Sequence, residues 1–288
     1  MTQQDNKVLA CVDLSPYAEH VADCAAWAAA RMAAPLEFLH VIERHPPLAG
    51  EQDHSGAIGA NAQEKLLQDL SDEDASRTRT ERDAARAFLQ RLRERAEAAG
   101  ATQVDTRQRH GDLAETLAEQ QDAVRLFVLG RRGASASTVQ RDLGQHVEWT
   151  VRSLRRPILA VTDRFKAPER VLIAFDGSAI TRKGVEMVAT SPLFKGLPVH
   201  VLMSGKPQSD APKQIEWARQ TLEQAGFGVV ADINPGDPQT VIGDAVLRKG
   251  IDLLVMGAYT HSPLRKLFWG SKTTELLRAA RVPTLLLR

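Results

Sequence analysis

The feature that most constrains this chain is an internal repeat. Asp13 directly follows the apolar run VLACV, and Asp176 directly follows the apolar run VLIAF. Further along, each copy has another apolar run that stops at a glycine, Gly130 in the first copy and Gly257 in the second. Self-similarity of this kind indicates that one structural unit occurs twice in the chain.

The two copies differ in length. The segment from Asp13 to Asp176 is longer than the segment from Gly130 to Gly257. The first copy is therefore longer in its middle, mainly in residues 44–62, which are rich in Pro, Gly and polar residues and are typical of a long loop. We predict a first α/β domain over residues 1–165, with this insertion after its second strand, and a second over residues 166–288.

Apolar runs alternate with helical patterns within each copy. The strands predicted for the first copy are Val8–Val12, Leu36–Ile42, Gln103–Arg109, Leu126–Leu129 and Pro157–Thr162. The helices predicted between them are Tyr17–Met32, a charged stretch ending near Ala99, a short helix from Leu113, and Gln145–Leu154. The strands predicted for the second copy are Val171–Phe175, Val199–Met203, Leu253–Gly257 and Pro283–Leu287. Such alternation implies a parallel sheet with helices on both faces.

Two helices carry finer predictions. Ser15 and Pro16 suit the N-cap and first turn of the first helix. In the charged stretch, Ala84, Phe88 and Leu92 recur at every fourth position, which predicts an apolar face.

Composition excludes some partners. The chain has 37 basic and 36 acidic residues, so its net charge of +1 creates no field that favours nucleic acid or membrane. The three arginines Arg152, Arg155 and Arg156 suit a solvated helix C-terminus. The two cysteines lie in apolar patterns, which favours buried, unpaired thiols over a disulfide. No long apolar segment is present, and we expect a cytoplasmic protein.

The aspartates and glycines indicate a ligand site. In doubly wound sheets, ligands bind at the carboxyl ends of the strands where the strand order reverses, and with the order 3-2-1-4-5 strands 1 and 4 flank that crevice. A carboxylate suits ribose hydroxyls or an adenine amino group. Backbone N–H groups at the start of a helix, such as the one expected after Gly270-Ser271, suit phosphates. This pairing predicts a nucleotide site.

With these motifs the chain resembles a tandem universal stress protein over nearly its whole length. The phosphate-binding pattern of that family is G-x2-G-x9-G-[ST]. The second copy has Gly257, Thr260 in place of the second glycine, and then Gly270-Ser271 at the expected spacing. The first copy has Gly130, Gly133 and Gly144, but with one extra spacer residue and Gln145 in place of the hydroxyl residue.

The resemblance implies a fold, a ligand and a set of contacts. The fold is α/β, with two tandem doubly wound five-stranded parallel sheets of the Rossmann-like, adenine nucleotide alpha hydrolase-like type, strand order 3-2-1-4-5. The two would pack as a pseudo-two-fold pair through Pro157–Thr162 and Pro283–Leu287.

The ligand is an adenine nucleotide, with ATP favoured over AMP or ADP and Mg²⁺ bound only with it. The implied contacts in the second copy are Asp176, Met203, Met256, Gly257, Thr260, His261, Gly270, Ser271, Lys272 and Thr273. Those in the first copy are Asp13, Val41, Gly130, Gly133 and Gly144.

Several residues have an alternative interpretation. His261, Arg265 and Lys266 suit either phosphate contacts or solvated loop positions, and Trp269 suits a packing anchor better than a base-stacking platform. Asp112 and Asp237 follow a glycine and precede a helix, so helix capping explains both. His40, near the end of a strand, suits a structural role better than a ligand role.

No motif for catalysis is present. The sequence lacks the loop G-x4-G-K-[ST], and its eight histidines show no zinc-type spacing with the cysteines. We therefore expect a nucleotide-binding stress-response or regulatory protein with little or no hydrolysis. The alternative is a protein-interaction module with one or both nucleotide sites degenerate, and an adenine-nucleotide hydrolase or transferase ranks third. Dimerisation of the whole chain is compatible with each.

Overall fold

A computed structural model describes residues 6–42, 79–80, 82–131, 153–206, 209–258 and 280–288. The first half has strands β1 (Lys7–Cys11), β2 (Leu36–Ile42), β3 (Val104–His110), β4 (Val124–Gly130) and β5 (Ile158–Val161). Its helices are α1 (Ala18–Met32), α2 (82–98) and α3 (Leu113–Gln120). The second half has strands β6 (Val171–Phe175), β7 (Val199–Gly205), β8 (Val229–Pro235), β9 (Leu253–Gly257) and β10 (Thr284–Leu287). Its helices are α4 (Ala179–Thr190), α5 (Ala211–Gln224) and α6 (Pro238–Arg248).

All ten strands form one continuous sheet. Its order is β3-β2-β1-β4-β5-β10-β9-β6-β7-β8, so each half has the predicted order 3-2-1-4-5. Pairing is parallel within each half and antiparallel where β5 meets β10. There Leu285 pairs with Leu159, and Leu286 pairs with Ile158. The predicted pairing of the two copies through their fifth strands is therefore confirmed.

The apolar runs are explained by a sheet that is covered on both faces. Along β1, Val8 and Ala10 belong to one buried cluster and Leu9 to the other. The same division separates Phe38 from Leu39 along β2. Because successive side chains of a strand point to opposite faces, a strand covered on both sides must be apolar throughout. Burial of each large apolar side chain stabilises the fold by about 1.5–3 kcal/mol.

Two local predictions are wrong. Helix α1 begins at Ala18, and its N-cap is Tyr17 without a side-chain cap. Ser15 accepts a hydrogen bond from the Tyr17 N–H at 3.3 Å and so stabilises the preceding turn rather than the helix end. On α2, Phe88 and Leu92 are buried as expected, but Ala84 is exposed, and the buried face instead includes Ala85, Leu89 and Ala96.

Some predictions fall outside the described residues, namely the loop 44–62, all but the last two residues of the helix expected at Gln145–Leu154, and the helix expected after Ser271. Within the described part of the chain, no helix is long and apolar enough to cross a membrane.

Candidate functional site

The sheet brings the second aspartate and the second glycine together. Strand β6 lies between β7 and β9, and Ala174 on β6 pairs with Met256 on β9. Asp176 follows shortly after Ala174, and Gly257 directly follows Met256. Both therefore lie at the carboxyl ends of neighbouring strands. The strand order reverses at this point, so it is the predicted crevice.

The carboxylate of Asp176 is oriented through one of its oxygens. Its Oδ1 accepts hydrogen bonds from the Ser178 N–H at 2.9 Å and from the Thr181 hydroxyl at 2.7 Å. Asp176 as a residue is exposed, and the described residues place no hydrogen-bond donor on Oδ2. One oxygen is thus fixed, while the other is available to accept hydrogen bonds from a ligand.

The turn after Asp176 requires a glycine. Gly177 has a φ of +76°, and a Cβ at this position would overlap Oε1 of Gln214 on α5. The amide group of Gln214 donates in turn to the Asp210 carboxylate. Only glycine adopts this backbone region without cost, and a Cβ here would also displace the flexible end of the Gln214 side chain.

Helix α5 also supports the turn through an aromatic ring. Arg182 donates a hydrogen bond to the Gly177 carbonyl at 3.1 Å, and its guanidinium lies 4.7 Å from the centre of the Trp217 ring. The same ring stacks on Phe175, at 6.3 Å between ring centres. The last residue of β6 and the turn that follows it are therefore held by α5.

Gly257 has a packing role that the motif does not reveal. A Cβ here would lie 3.1 Å from Cγ2 of Ile180 and 3.5 Å from Cγ2 of Thr181. The glycine thus lets the end of β9 approach the first turn of α4. That turn contains Thr181, the residue that holds Asp176, so one helix turn contacts both predicted ligand positions.

The end of β7 lies further along than the sequence indicated. Met203 and Met256 are both buried, in the two separate clusters on opposite faces of the sheet. Strand β7 continues to Gly205, which forms a pair of backbone hydrogen bonds with Gly236 at 3.0 and 3.3 Å. When the two copies are aligned on their aspartates, the counterpart of Val41 is Ser204 rather than Met203. Ser204 is the strand-end position that the sequence analysis missed.

The corresponding turn of the first half is built from different residues. Asp13 accepts a hydrogen bond from the Ser15 N–H at 3.1 Å. The counterpart of Thr181 is Ala18, which offers no hydroxyl, and the counterpart of Gly177 is Leu14, which is 57% exposed. Gly130 ends β4, beside the carboxyl end of β1, as predicted.

Three residues have the structural roles expected for them. His40 is buried with its Nδ1 2.9 Å from the Val12 carbonyl oxygen. Asp112 caps α3 by accepting from the Glu115 N–H at 2.9 Å, and Asp237 caps α6 by accepting from the Thr240 N–H at 3.1 Å.

The cysteines are free thiols, as predicted. The pKa of Cys11 is raised by burial and, to a lesser degree, by the charge of Asp13. The pKa of Cys24 is raised by burial and then by Asp23. Both thiols are therefore protonated near neutral pH. In the part of the chain that the structure describes, no group of three or more His, Cys, Asp or Glu side chains could hold a metal ion.

The remaining predicted contacts lie outside the described residues. In the second half these are Thr260, His261, Gly270, Ser271, Lys272 and Thr273. In the first half they are Gly133 and Gly144.

Comparison with known proteins identifies the family. The sequence profile described as "Universal stress protein family" matches residues 6–162 and again residues 168–288. The chain belongs to the universal stress protein family. Its tandem form is shared with the universal stress protein Slr1230 of Synechocystis sp., to which it is 31% identical over 98% of this chain and 99% of that protein.

Solved structures of this family share the fold. A universal stress protein of Archaeoglobus fulgidus superposes with a TM-score of 0.70 and 18% identity, over 100% of this chain and 99% of that one. A candidate universal stress protein of Pseudomonas aeruginosa superposes with a TM-score of 0.61 and 18% identity, over 99% of this chain and 94% of that one. At these identities the likeness concerns the fold alone.

Proposed function

We propose that this universal stress protein binds an adenine nucleotide, ATP in preference to AMP or ADP, in the second half and acts as a regulatory protein rather than an enzyme. The observation that carries the proposal is the way in which hydrogen bonds orient the carboxylate of Asp176. Both hydrogen bonds that the described residues donate to its carboxylate reach Oδ1, and the carboxylate lies at the carboxyl end of β6, beside Gly257. A fixed acceptor next to a glycine-bounded strand end suits the ribose and phosphates of a nucleotide.

Each predicted residue has a role in this proposal. Asp176 accepts hydrogen bonds from the ribose hydroxyls, and the backbone at Met203 and Ser204 contacts the adenine. The end of β9, Met256-Gly257, leads toward the phosphates. There the N–H groups and hydroxyls of Thr260, His261, Gly270, Ser271, Lys272 and Thr273 are the proposed donors. Mg²⁺ accompanies the nucleotide, and no residue is assigned a catalytic step.

The first half is proposed as a weaker nucleotide site, formed by Asp13, Val41 and Gly130 with Gly133 and Gly144. The exposure of Leu14 favours the second candidate function, a protein-interaction surface, for this half. An exposed leucine at a turn suits an apolar contact with a protein partner better than contact with a phosphate.

Two measurements test the proposal, namely the identity of any ligand that the protein retains during purification and its affinity for added ATP. Protein purified without added nucleotide is examined by mass spectrometry, and ATP binding is measured by calorimetry for the wild type, Asp176→Ala and Asp13→Ala. Hydrogen bonds to a charged group contribute about 1.5–3 kcal/mol, so we expect Asp176→Ala to weaken binding by roughly ten-fold or more. We expect Asp13→Ala to change the affinity of the second site by less than about three-fold.

Asp244→Ala, which removes an exposed carboxylate on α6, is the matched control. Binding that is unchanged in Asp176→Ala, or a wild-type protein that binds no ATP, would contradict the proposal. ATP hydrolysis at rates typical of enzymes, lost in Asp176→Ala, would support the hydrolase interpretation instead.

A further inference from the structure

Two arginine side chains cross the junction between the halves in opposite directions. Arg131 of the first half donates a hydrogen bond from Nη1 to the carbonyl oxygen of Ala280 in the second half, at 2.6 Å. Arg288 of the second half donates from Nη1 to the carbonyl oxygen of Leu154 in the first half, at 3.0 Å. We refer to these two hydrogen bonds as the crossed arginine pair.

The two acceptors occupy equivalent positions in the repeat. Leu154 precedes Pro157 at the same distance along the chain as Ala280 precedes Pro283. Each carbonyl therefore lies just before the strand through which its half joins the other, β5 or β10. The donors are not equivalent, since the counterpart of Arg131 is Ala258. Two arginines at non-equivalent positions thus donate to equivalent carbonyl oxygens, one in each half.

Arg131 is adjacent to a predicted ligand position, and Arg288 is linked to another through β10. Arg131 directly follows Gly130, and its backbone N–H donates to the Val161 carbonyl of β5 at 2.9 Å. On the other side, Ala258 directly follows Gly257, and its N–H donates to the Leu287 carbonyl of β10 at 2.8 Å. Leu287 is covalently joined to Arg288.

These contacts form two short continuous routes. One leads from Gly257 through Ala258, Leu287 and Arg288 to Leu154 in the first half. The other leads from Gly130 through Arg131 to Ala280 in the second half. Each predicted ligand glycine is therefore linked by hydrogen bonds and covalent bonds to an arginine that is bound to the opposite half.

We propose that the crossed arginine pair couples the two halves, so that nucleotide binding at one site changes the structure and affinity of the other. The inference rests on the nucleotide binding proposed above. Coupling of binding is reciprocal, so nucleotide at the first site changes the affinity of the second by the same factor as nucleotide at the second changes that of the first. A continuous network of contacts suggests coupling, but only a measured response across the junction demonstrates it.

Hydrogen exchange measured by mass spectrometry tests the route from the second half. Asp13→Ala serves as background, so that Mg·ATP occupies the second site alone. We expect ATP to slow exchange in residues 154–161 of the first half. Adding Arg288→Ala should remove this response while the affinity for ATP stays within about three-fold. The matched control is Arg248→Ala, since the Arg248 side chain is 79% exposed on α6, and it should leave the response intact.

The opposite route provides a second test that does not depend on Arg288. In the Asp176→Ala background, Arg131→Ala should remove any ATP response of residues 280–287. For the wild type we expect the affinity of one site to change about five-fold when the other is filled, which is the lower end of usual coupling.

The outcomes separate the two proposals. If ATP binds the second site and residues 154–161 do not respond, or if they respond equally in Arg288→Ala, the coupling is refuted and nucleotide binding stands. If the wild type binds no ATP by calorimetry, both proposals are refuted.

Discussion

The two aspartate turns occupy the same place in the two halves but are built from different residues. Both aspartates accept a hydrogen bond from the backbone N–H of a nearby serine, at 3.1 Å for Asp13 and 2.9 Å for Asp176. In the second turn a threonine hydroxyl donates to the aspartate at 2.7 Å and a glycine lies in the left-handed region, whereas the equivalent positions of the first turn are Ala18 and Leu14. The duplication has kept the turn itself, while the contacts that orient the carboxylate differ.

The comparison extends to a buried polar position on β2 and β7. Glu37 and His200 are equivalent when the copies are aligned on their aspartates, and both are buried. Glu37 forms an ion pair with Lys7 at 2.9 Å, whereas Nε2 of His200 lies 3.1 Å from Asp232. A glutamate paired with a lysine in the first half is thus replaced by a histidine beside an aspartate in the second. The shared register fixes where the side chain lies, whereas the residue type and its partners determine its charge.

The largest difference in stability between the two turns is expected when Gly177 is substituted. Gly177→Ala places an L-residue in the left-handed region and displaces Gln214, and we expect a loss of about 2 kcal/mol in the free energy of unfolding. Leu14→Ala should cost less than about 0.5 kcal/mol, because an exposed side chain is truncated. Urea unfolding measures both. Equal effects of the two substitutions would show that the turns are held alike.

The next difference concerns the threonine hydroxyl. Thr181→Val keeps the shape of a buried side chain but removes the donor to Asp176, which should cost about 1.5 kcal/mol. ATP binding should weaken as well, because the carboxylate loses its orientation. Thr181→Ser keeps the hydroxyl and is the control. Urea unfolding and calorimetry measure the two effects. If Thr181→Val and Thr181→Ser have the same free energy of unfolding and the same affinity for ATP, the hydroxyl does not contribute to the difference between the turns.

A smaller difference is expected at the serines. Ser178 is the N-cap of α4 and accepts from the Thr181 N–H, so Ser178→Ala should cost about 1 kcal/mol. Ser15 does not cap its helix, and Ser15→Ala should cost about 0.5 kcal/mol, as for an ordinary hydrogen bond. Thermal and urea unfolding of both variants check the order. A larger cost at Ser15 would contradict it.

The last prediction concerns the pH dependence of stability that results from the buried side chain of His200. Burial, and then the charge of Lys249, lower the pKa of His200 below 6.5, in spite of the opposing effect of Asp232. The folded state therefore binds fewer protons than the unfolded state just below pH 6.5. Stability is complete above this pH, falls as the pH decreases toward the folded pKa, and is constant below it.

Urea unfolding between pH 5 and 8 measures this effect as the difference between the wild type and His200→Gln. That difference should shift against the wild type on acidification, and the shift for one proton cannot exceed about 1.4 kcal/mol per pH unit. A difference that is independent of pH, or that moves in favour of the wild type, would refute the prediction.

Most of the sheet was predictable because its strands are buried on both faces. Val171–Phe175 and Leu253–Gly257 were predicted with the bounds that the structure gives. Edge strands were harder. Strand β3 is shifted by one residue from its prediction, and β8 was not located individually. Half-exposed edges mix polar and apolar residues, so they do not form the continuous runs that mark a central strand.

Only part of the candidate site could be predicted. The positions of Asp176 and Gly257 followed from strand ends and spacing. Ser204 could have been found by carrying the alignment of Asp13 with Asp176 forward to Val41. Thr181 and Gln214 carry no such signal, because their roles depend on how α4 and α5 pack against the turn.

The sequence by itself determined the duplication, the alternation of strands and helices and the place of the two aspartates. Local apolar patterns and turn residues encode these features, since each depends on neighbours in the chain. Tertiary structure alone decided that the end of the Gln214 side chain lies where a Cβ at position 177 would be. It also decided that Arg131 and Arg288 cross the junction between the halves. Both features join residues far apart in sequence, and such contacts exist only once the sheet has brought its strands together.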